Sequence, residues 1–258
     1  MRFRPCIDIH NGQVKQIVGG SLCDEGNQAK ENFVSRQTAA FFARLYKEKE
    51  IRGGHIILLN PVSSEFYGKT KSQAIEALKA YPGGLQVGGG ITPENAGEYL
   101  TAGASHVIVT SYVFKDGMLH MDRLKEMVKA VSKERLVLDL SCRKKDGLYY
   151  IVTDRWQKYT DVVLNHETIQ MLSGYCDEFL IHAVDVEGKA RGIEKELVTM
   201  LGNTCEIPAT YAGGVHSFED LEALKILGKD KIDVTIGSAL DLFGGNMKFE
   251  DVLHYINK

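Results

Sequence analysis

Two aspartates and two glycine-ended apolar runs are the residues of this chain best placed to do chemistry. Asp8 follows the run RPCI and Asp139 follows RLVL, at an offset of 131. Leu85–Thr92 reads LQVGGGIT and Thr210–Ser217 reads TYAGGVHS, so Gly89 and Gly90 match Gly213 and Gly214 at an offset of 124. A helix-like segment follows each, and then a second apolar run with a small hydroxyl residue at its end. The first copy is SHVIVTS, ending at Thr110 and Ser111; the second is IDVTIGS, ending at Gly237 and Ser238. Ser111 to Ser238 is an offset of 127, so the second copy has gained three residues. Glycine at a strand end lets backbone N–H groups approach an anion closely, and a following helix N-terminus adds a favourable field. A single such turn is as easily a tight bend with no ligand. Its repetition with the same downstream partner points to two phosphate sites.

Two phosphate sites flanking two carboxylates imply an elongated ligand that carries a phosphate at each end and reacts in its middle. Carboxylates whose environments separate their pKa values can divide acid and base work. This suits a proton-shuffling isomerisation with no cofactor. Taken singly, each aspartate could instead be a strand-end cap or an ion-pair partner; their matched placement favours chemistry. Asp185 and Glu187, in HAVDVEG, offer a third carboxylate, against loop capping as the plainer reading. Trp156 is the sole tryptophan and could stack on a planar ring or simply anchor its loop. Arg155 beside it could pair with a phosphate or remain solvated. His10 and Lys15 could tune Asp8, although exposed loop residues are the default. His182 reads as a satisfied core histidine, and Cys6 as a small buried residue rather than a nucleophile.

The elements that must hold these groups come from hydrophobic period and punctuation. Apolar runs at Phe3–Ile9, His55–Leu59, Leu85–Val87, Val107–Val109, Leu136–Leu140, Glu178–Val184, Ile207–Ala212 and Ile232–Ile236 read as strands. Helices are expected at Ser35–Lys49, Thr70–Tyr81, Pro93–Ala102, Asp122–Ser132, Val162–Tyr175, Glu194–Leu201, after Ser217 to Leu227, and Phe249–Ile256. Thr92 and Pro93 suit a helix start, and Gly103 its end. HNGQVKQIVGGS resembles a hairpin, Cys23–Asn32 a mobile polar loop, and LYYIVTDRW a hairpin or flap. Eight strand–helix units in 258 residues fit a (β/α)8 TIM barrel better than an open doubly wound sheet. The matched landmarks divide residues 1–258, one barrel domain, into half-barrel repeats of about 1–132 and 133–258. Strands 1 and 5 then face each other across the mouth. The polar loops Cys23–Asn32 and Arg143–Trp156 are expected to close over substrate.

Composition narrows the partners. The formal net charge of -3 leaves no basic footprint for nucleic acid. No apolar run approaches the roughly 20 residues of a membrane helix. Cys6, Cys23, Cys142, Cys176 and Cys205 are scattered, odd in number and free of C-x-x-C, which fits a reducing compartment. Neither a nucleotide-binding glycine motif nor metal-ligand spacing occurs, so no cofactor and no metal are expected. No signal or transit segment is visible ahead of the first strand, so the cytoplasm is expected, or an organelle such as the plastid where a transit segment has been removed.

PCIDIHNGQVKQ, LQVGGGI, VIVTS, LVLDLS, YAGGVHS and VTIGSALD together resemble the phosphoribosylformimino-aminoimidazole carboxamide ribotide isomerases of histidine biosynthesis. The resemblance covers nearly the whole chain, and HAVDVEG looks like the eukaryotic branch. It implies an Amadori rearrangement of an aminoaldose to an aminoketose on a substrate with two phosphates, in a mostly monomeric family. It implies Asp8 as general base and Asp139 as the acid or the stabiliser of the acid. Bacterial members carry an Asp–Gly pair after strand 6, and here Glu187 holds the place before Gly188, so the acid lies among Asp139, Asp185 and Glu187. Strand 2 also departs, ending Leu59-Asn60-Pro61 where bacterial members often end in acidic residues. Three rivals remain: the cyclase subunit of imidazole glycerol phosphate synthase, for which Lys15 speaks; a phosphoribosylanthranilate isomerase, with Cys6 at strand 1; and a phosphosugar-binding barrel without turnover.

Overall fold

In a strand that is buried on both faces, side chains alternate between two cores. Here the alternation separates a barrel interior from a layer between barrel and helices. The computed structural model describes residues 1–18, 21–22, 29–189 and 191–257. Its eight barrel strands are β1 (Cys6–His10), β2 (Gly54–Leu58), β3 (Leu85–Gly88), β4 (Val107–Val109), β5 (Leu136–Asp139), β6 (Glu178–His182), β7 (Ala209–Ala212) and β8 (Ile232–Thr235). Consecutive barrel strands pair in parallel from β1 to β8. Phe3 bridges Val234, and Arg4 N–H donates to the Val234 carbonyl at 2.8 Å, so the chain's start closes the ring onto β8. Among the described residues the eight α-helices are α1 (Ala39–Glu48), α2 (Tyr67–Ala80), α3 (Pro93–Ala102), α4 (Met121–Val131), α5 (His166–Ser173), α6 (Lys195–Thr204), α7 (Phe218–Leu227) and α8 (Phe249–Ile256). This is the (β/α)8 barrel expected from the sequence.

Ile108, Val137 and Leu180, with Ile57, form a small hydrophobic cluster of their own inside the ring. Their strand neighbours Val107, Val109, Leu136, Leu138, Phe179 and Ile181 belong to the large cluster shared with the helices. Below the interior cluster the barrel is polar. Arg4 pairs with Asp233 at 2.8 Å and with Glu178 at 3.4 Å. Gln86 and Thr210 donate to the two Glu178 oxygens at 3.1 and 3.0 Å. A buried charge set of this kind is tolerated because each member has a partner. It ties β3, β6, β7 and β8 to the segment before β1, and so fixes the register that places Asp8, Asp139 and His182 one layer above the apolar cluster.

Several expected boundaries move. Helix α5 starts at His166, not Val162, because Lys158–Val163 is a strand. KYTDVV is rich in the β-branched and aromatic types that favour strands, and Asn165 caps the helix by accepting from Thr168 N–H at 2.9 Å. That strand pairs antiparallel with Leu148–Thr153, which pairs with Cys142–Lys145. The expected flap is thus a three-stranded sheet standing on the β5 end. The hairpin after Asp8 is present: Gln13–Ile17 pairs antiparallel with β1 across Asn11–Gly12, and then with Glu31–Val34. Glu31 and Asn32, expected in a mobile loop, are therefore strand residues; residues 23–28 of that loop lie outside the described residues. Helix α2 begins three residues earlier than expected, at Tyr67. Cys6, Cys142, Cys176 and Cys205 are free and buried.

Candidate active site

The C-terminal ends of the barrel strands open into two adjoining cavities, and their lining repeats the sequence symmetry. The first, about 280 Å³, is lined by Gly89 and Gly90 after β3, Thr110 and Ser111 after β4, and Arg155 and Trp156 from the flap. The second is lined by Gly213 and Gly214 after β7 and by Gly237 and Ser238 after β8. Asp8, His182 and Glu187 line both. Asp139 lines the first.

The glycines are required by the backbone. Gly89 has φ +103°, and a Cβ there would lie 2.2 Å from the Leu58 carbonyl oxygen. Gly214 has φ +77°, and a Cβ would lie 2.0 Å from the Gly192 carbonyl oxygen. Both conformations are open to glycine and costly for other residues. Each cradle precedes a capped helix. Thr92 and Asn95 form a reciprocal capping box at α3, and Ser217 Oγ accepts from Asp220 N–H at α7. The amide-rich helix starts therefore stand behind the glycine turns, where an anion is favoured.

The two matched aspartates occupy unlike surroundings. Asp139 Oδ1 accepts from Ser141 Oγ at 2.6 Å and from Ser141 N–H at 2.8 Å, and His182 Nδ1 stands 3.6 Å away. Burial would raise its pKa, but His182 and Ser141 together hold it below the usual carboxylate range. Asp139 is an ionised acceptor in this setting, which is unsuited to giving up a proton. Asp8 makes no side-chain hydrogen bond among the described residues. Removal from bulk water pushes its pKa to about 7; His182 opposes the rise and Glu187 adds to it. Burial likewise raises Glu187, again opposed by His182, and its Oε2 is buried without a partner among the described residues.

Asp185 is not brought to the site. Its carboxylate takes the Arg143 guanidinium at 2.9 Å and Lys144 N–H at 2.8 Å, so it fastens the flap to the turn after β6. Lys15 pairs with Glu31 in the hairpin, and neither Lys15 nor His10 lines either of these two cavities. Cys6 lies under Asp8 on the second cavity's wall, and burial pushes its thiol well up, which argues for an inert sulfur. Trp156 lines the first cavity and is also anchored: Nε1–H donates to Ser141 Oγ at 3.0 Å, and its ring centroid is 5.4 Å from that of His182. Asp154, Arg155 and Trp156 have φ of +50°, +57° and +69°, a run of left-handed residues at the flap's turn.

His182 is the residue that sequence reasoning undervalued. It stands among Asp8, Asp139 and Glu187 and touches both cavities. A signal existed in the period of two: Glu178, Leu180 and His182 share the interior face, and Leu180 is in register with Asp139. Asn60 was also more than a departure. It accepts from Asn11 N–H at 2.8 Å and from Thr70 Oγ at 2.7 Å, and so holds the turn that follows Asp8. Among the described residues no group of three or more histidines, cysteines or carboxylates is placed to hold a metal ion. None of the described helices is long and apolar enough to cross a membrane.

Known proteins are similar to this chain along nearly its whole length. It is 54% identical to a chloroplastic 1-(5-phosphoribosyl)-5-((5-phosphoribosylamino)methylideneamino)imidazole-4-carboxamide isomerase of Medicago truncatula, over 100% of this chain and 82% of that protein. It is 49% identical to the isomerase of the same name from Neurospora crassa, over 95% of this chain and 93% of the relative. The Saccharomyces cerevisiae isomerase is 43% identical, over 100% of this chain and 98% of the relative. Residues 2–248 match the family described as histidine biosynthesis protein. With its barrel and this match over nearly its whole length, the chain belongs to the histidine biosynthesis protein family.

Proposed function

We propose that the protein isomerises the substrate in its relatives' name, an aldose–ketose (Amadori) rearrangement with no cofactor. The observation that carries this reading is that two glycine cradles open into cavities whose shared wall holds Asp8, Glu187 and His182. The relatives' name places one phosphoribosyl group at each end of a methylideneamino link. Such a molecule seats a phosphate on Gly89, Gly90, Thr110 and Ser111, and the other on Gly213, Gly214, Gly237 and Ser238. Its reacting sugar then lies over the shared wall. Arg155 and Trp156 cover the first cavity's end of the ligand.

The chemistry assigned here uses two carboxylates of raised pKa. Glu187, protonated, gives its proton to the ring oxygen as the nitrogen lone pair expels it, which leaves an open-chain iminium. Asp8, ionised, removes the proton from the adjacent carbon, and the C–H electron pair forms the enamine. The proton passes from Asp8 to the neighbouring carbon as the hydroxyl becomes a ketone. Asp139 takes no part as an acid, since its oxygen is occupied by donors. Carboxylates in such roles contribute on the order of a hundredfold to ten-thousandfold each. The Medicago relative is chloroplastic, and a plastid or the cytoplasm suits this pathway enzyme equally.

The test is turnover of the bis-phosphorylated aminoaldose with and without ammonia. Conversion to the ketose isomer in the absence of ammonia is expected. Consumption of the ketose only when ammonia is present would assign the protein to cyclisation instead, and tight binding without conversion in either assay would make it a binding barrel.

A further inference from the structure

The rearrangement has one proton left to account for. When the enamine becomes a ketone, the hydroxyl hydrogen must go to an acceptor, and neither Asp8 nor Glu187 is assigned that transfer above. His182 is a buried titratable side chain at the junction of the two cavities, which the carboxylate chemistry does not use.

The hydrogen bonds around it determine which nitrogen carries hydrogen. Ser141 Oγ donates to Asp139 Oδ1 at 2.6 Å, which uses its only hydrogen. Trp156 Nε1–H donates to Ser141 Oγ at 3.0 Å. Ser141 Oγ is also 3.1 Å from His182 Nδ1, and with its hydrogen spent it can only accept there. His182 Nδ1 therefore carries a hydrogen, aimed at Ser141 and, at 3.6 Å, at Asp139. Nε2 lies on the opposite edge of the ring. It has no protein partner among the described residues and is not sealed from the cavities that His182 lines.

We propose that His182 is a further catalytic residue of the isomerisation proposed above, with Nε2 taking the hydroxyl proton of the enamine intermediate while Asp139 and Ser141 orient the ring through Nδ1. The O–H bond breaks, its proton bonds to Nε2, and an oxygen lone pair becomes the second bond of the ketone. The enamine pair meanwhile takes the proton that Asp8 returns to carbon. The imidazolium then hands its proton to the Glu187 carboxylate, and all three groups are reset with no net proton change. The arrangement follows the logic of a base held in one tautomer by a buried aspartate.

The surroundings suit this task. Burial alone would disfavour a charged ring, but Asp139, joined by Glu187 and Asp8, raises the His182 pKa above its ordinary value. From β2, His55 stacks edge-on at 5.8 Å, and burial, with His182 and Arg4, keeps it neutral with a pKa of about 3. Asp8 from β1, Asp139 from β5, Glu187 from the turn after β6 and His55 from β2 are thus the titratable groups around His182. Three are acidic and the fourth is uncharged, so an imidazolium formed there meets no neighbouring cation. Trp156 packs against the ring, with the centroids 5.4 Å apart.

Two measurements on the whole protein test this. Nitrogen-15 NMR of histidine-labelled protein without substrate should show His182 above its pKa as the Nδ1–H tautomer. The Nε2–H tautomer would overturn the proposal whatever the protein's substrate. The second measurement is the pH profile of kcat. Below neutrality wild-type log kcat should fall with a slope approaching two, because Asp8 and His182 must both be unprotonated. His182→Gln should reduce that slope to one and lower plateau kcat at least about tenfold, with KM little changed. A structural histidine would leave the slope as it was, and an unchanged slope and kcat would overturn the proposal. If His182→Gln does not fold, Asp139→Asn substitutes for it: its acid limb should lose the His182 component, and a wild-type profile would overturn the proposal. Wild-type protein inert toward the bis-phosphorylated substrate while the ring shows Nδ1–H would sink the isomerase reading and this role with it, but leave the hydrogen-bonded arrangement standing.

Discussion

Asp8 and Asp139 hold matching places in the two halves of the barrel, on the ends of β1 and β5, yet they behave in opposite ways. Asp139 is surrounded by donors and kept below the usual carboxylate range. Asp8 has no donor among the described residues and is pushed to about 7. The strand position is the same; what differs is the residue two places on. After Asp139 comes Ser141, which turns its amide and hydroxyl back to the carboxylate. After Asp8 comes His10, whose side chain does not reach it, and Nδ1 of that ring has no partner among the described residues. The repeated scaffold has supplied two carboxyls, and the local donors leave one titrating near neutrality and make the other a fixed anion.

Removing each carboxylate tests that division, and the largest effect is expected at Asp8. Asp8→Asn keeps the shape and removes the base, so kcat should fall by about a hundredfold to ten-thousandfold with KM changed little. A loss below about threefold would mean that the C–H proton goes elsewhere. Glu187→Gln should cost about a hundredfold, and its product should still be the ketose. For the wild type, the limb governed by Asp8 should sit close to pH 7, where that residue titrates.

Stability should separate the pair by sign. A carboxyl whose pKa is raised on folding favours the folded state at low pH, and that contribution is lost as pH rises. For Asp8 the window runs from about 4 to about 7. Asp8→Asn should therefore melt higher than wild type at pH 8, and the gain should vanish towards pH 4. Asp139 is the reverse, because its folded pKa lies below the unfolded value. Its contribution is present at pH 8 and is lost as pH falls through the folded value. Asp139→Asn should melt lower at pH 8, at a cost of about 1–3 kcal/mol for the buried donors left unmatched, or roughly 2–4 °C per kcal/mol in a chain of this size. Thermal melts of both variants at pH 4 and pH 8 decide it; shifts of the same sign at pH 8 would break the comparison.

How much of this could be read from the sequence follows the same line. The eight units, the ring and both cradles were legible because glycine and hydrophobic period are local signals, and the chain states them twice. Asp8 was legible as one of a matched pair. The proposed choice of acid was not, since it turns on side-chain contacts that spacing does not state: Ser141 turning back on Asp139, and Arg143 drawing Asp185 out to the flap. His182 was passed over because one histidine on a strand carries no mark of what stands beside it. Lys158–Val163 was misread at its C-terminal end, where two valines continue into the apolar spacing of α5 and hide the change of period at Asn165.

The smallest effect expected is also the one that isolates the donor set around Asp139. Ser141→Ala removes the hydroxyl that donates to Asp139 and accepts from Trp156 Nε1–H, but leaves the backbone N–H bond at 2.8 Å in place. The bond lost with Trp156 joins neutral groups and contributes about 0.5–1.5 kcal/mol, while Asp139 keeps its backbone donor and His182, so kcat should fall by roughly two- to tenfold. Because Trp156 is the sole tryptophan, its fluorescence reports the same change directly. With its indole N–H released, emission from the free protein should shift, and the flap's turn should lose its anchor over the first cavity. No such loss is expected from Ser238→Ala in the other half. That serine lines the second cavity, so its removal should raise KM while leaving tryptophan emission and the pH profile alone. If both variants changed KM alone, the serine beside Asp139 would be one more phosphate ligand, and the contrast between the two aspartates would need another cause.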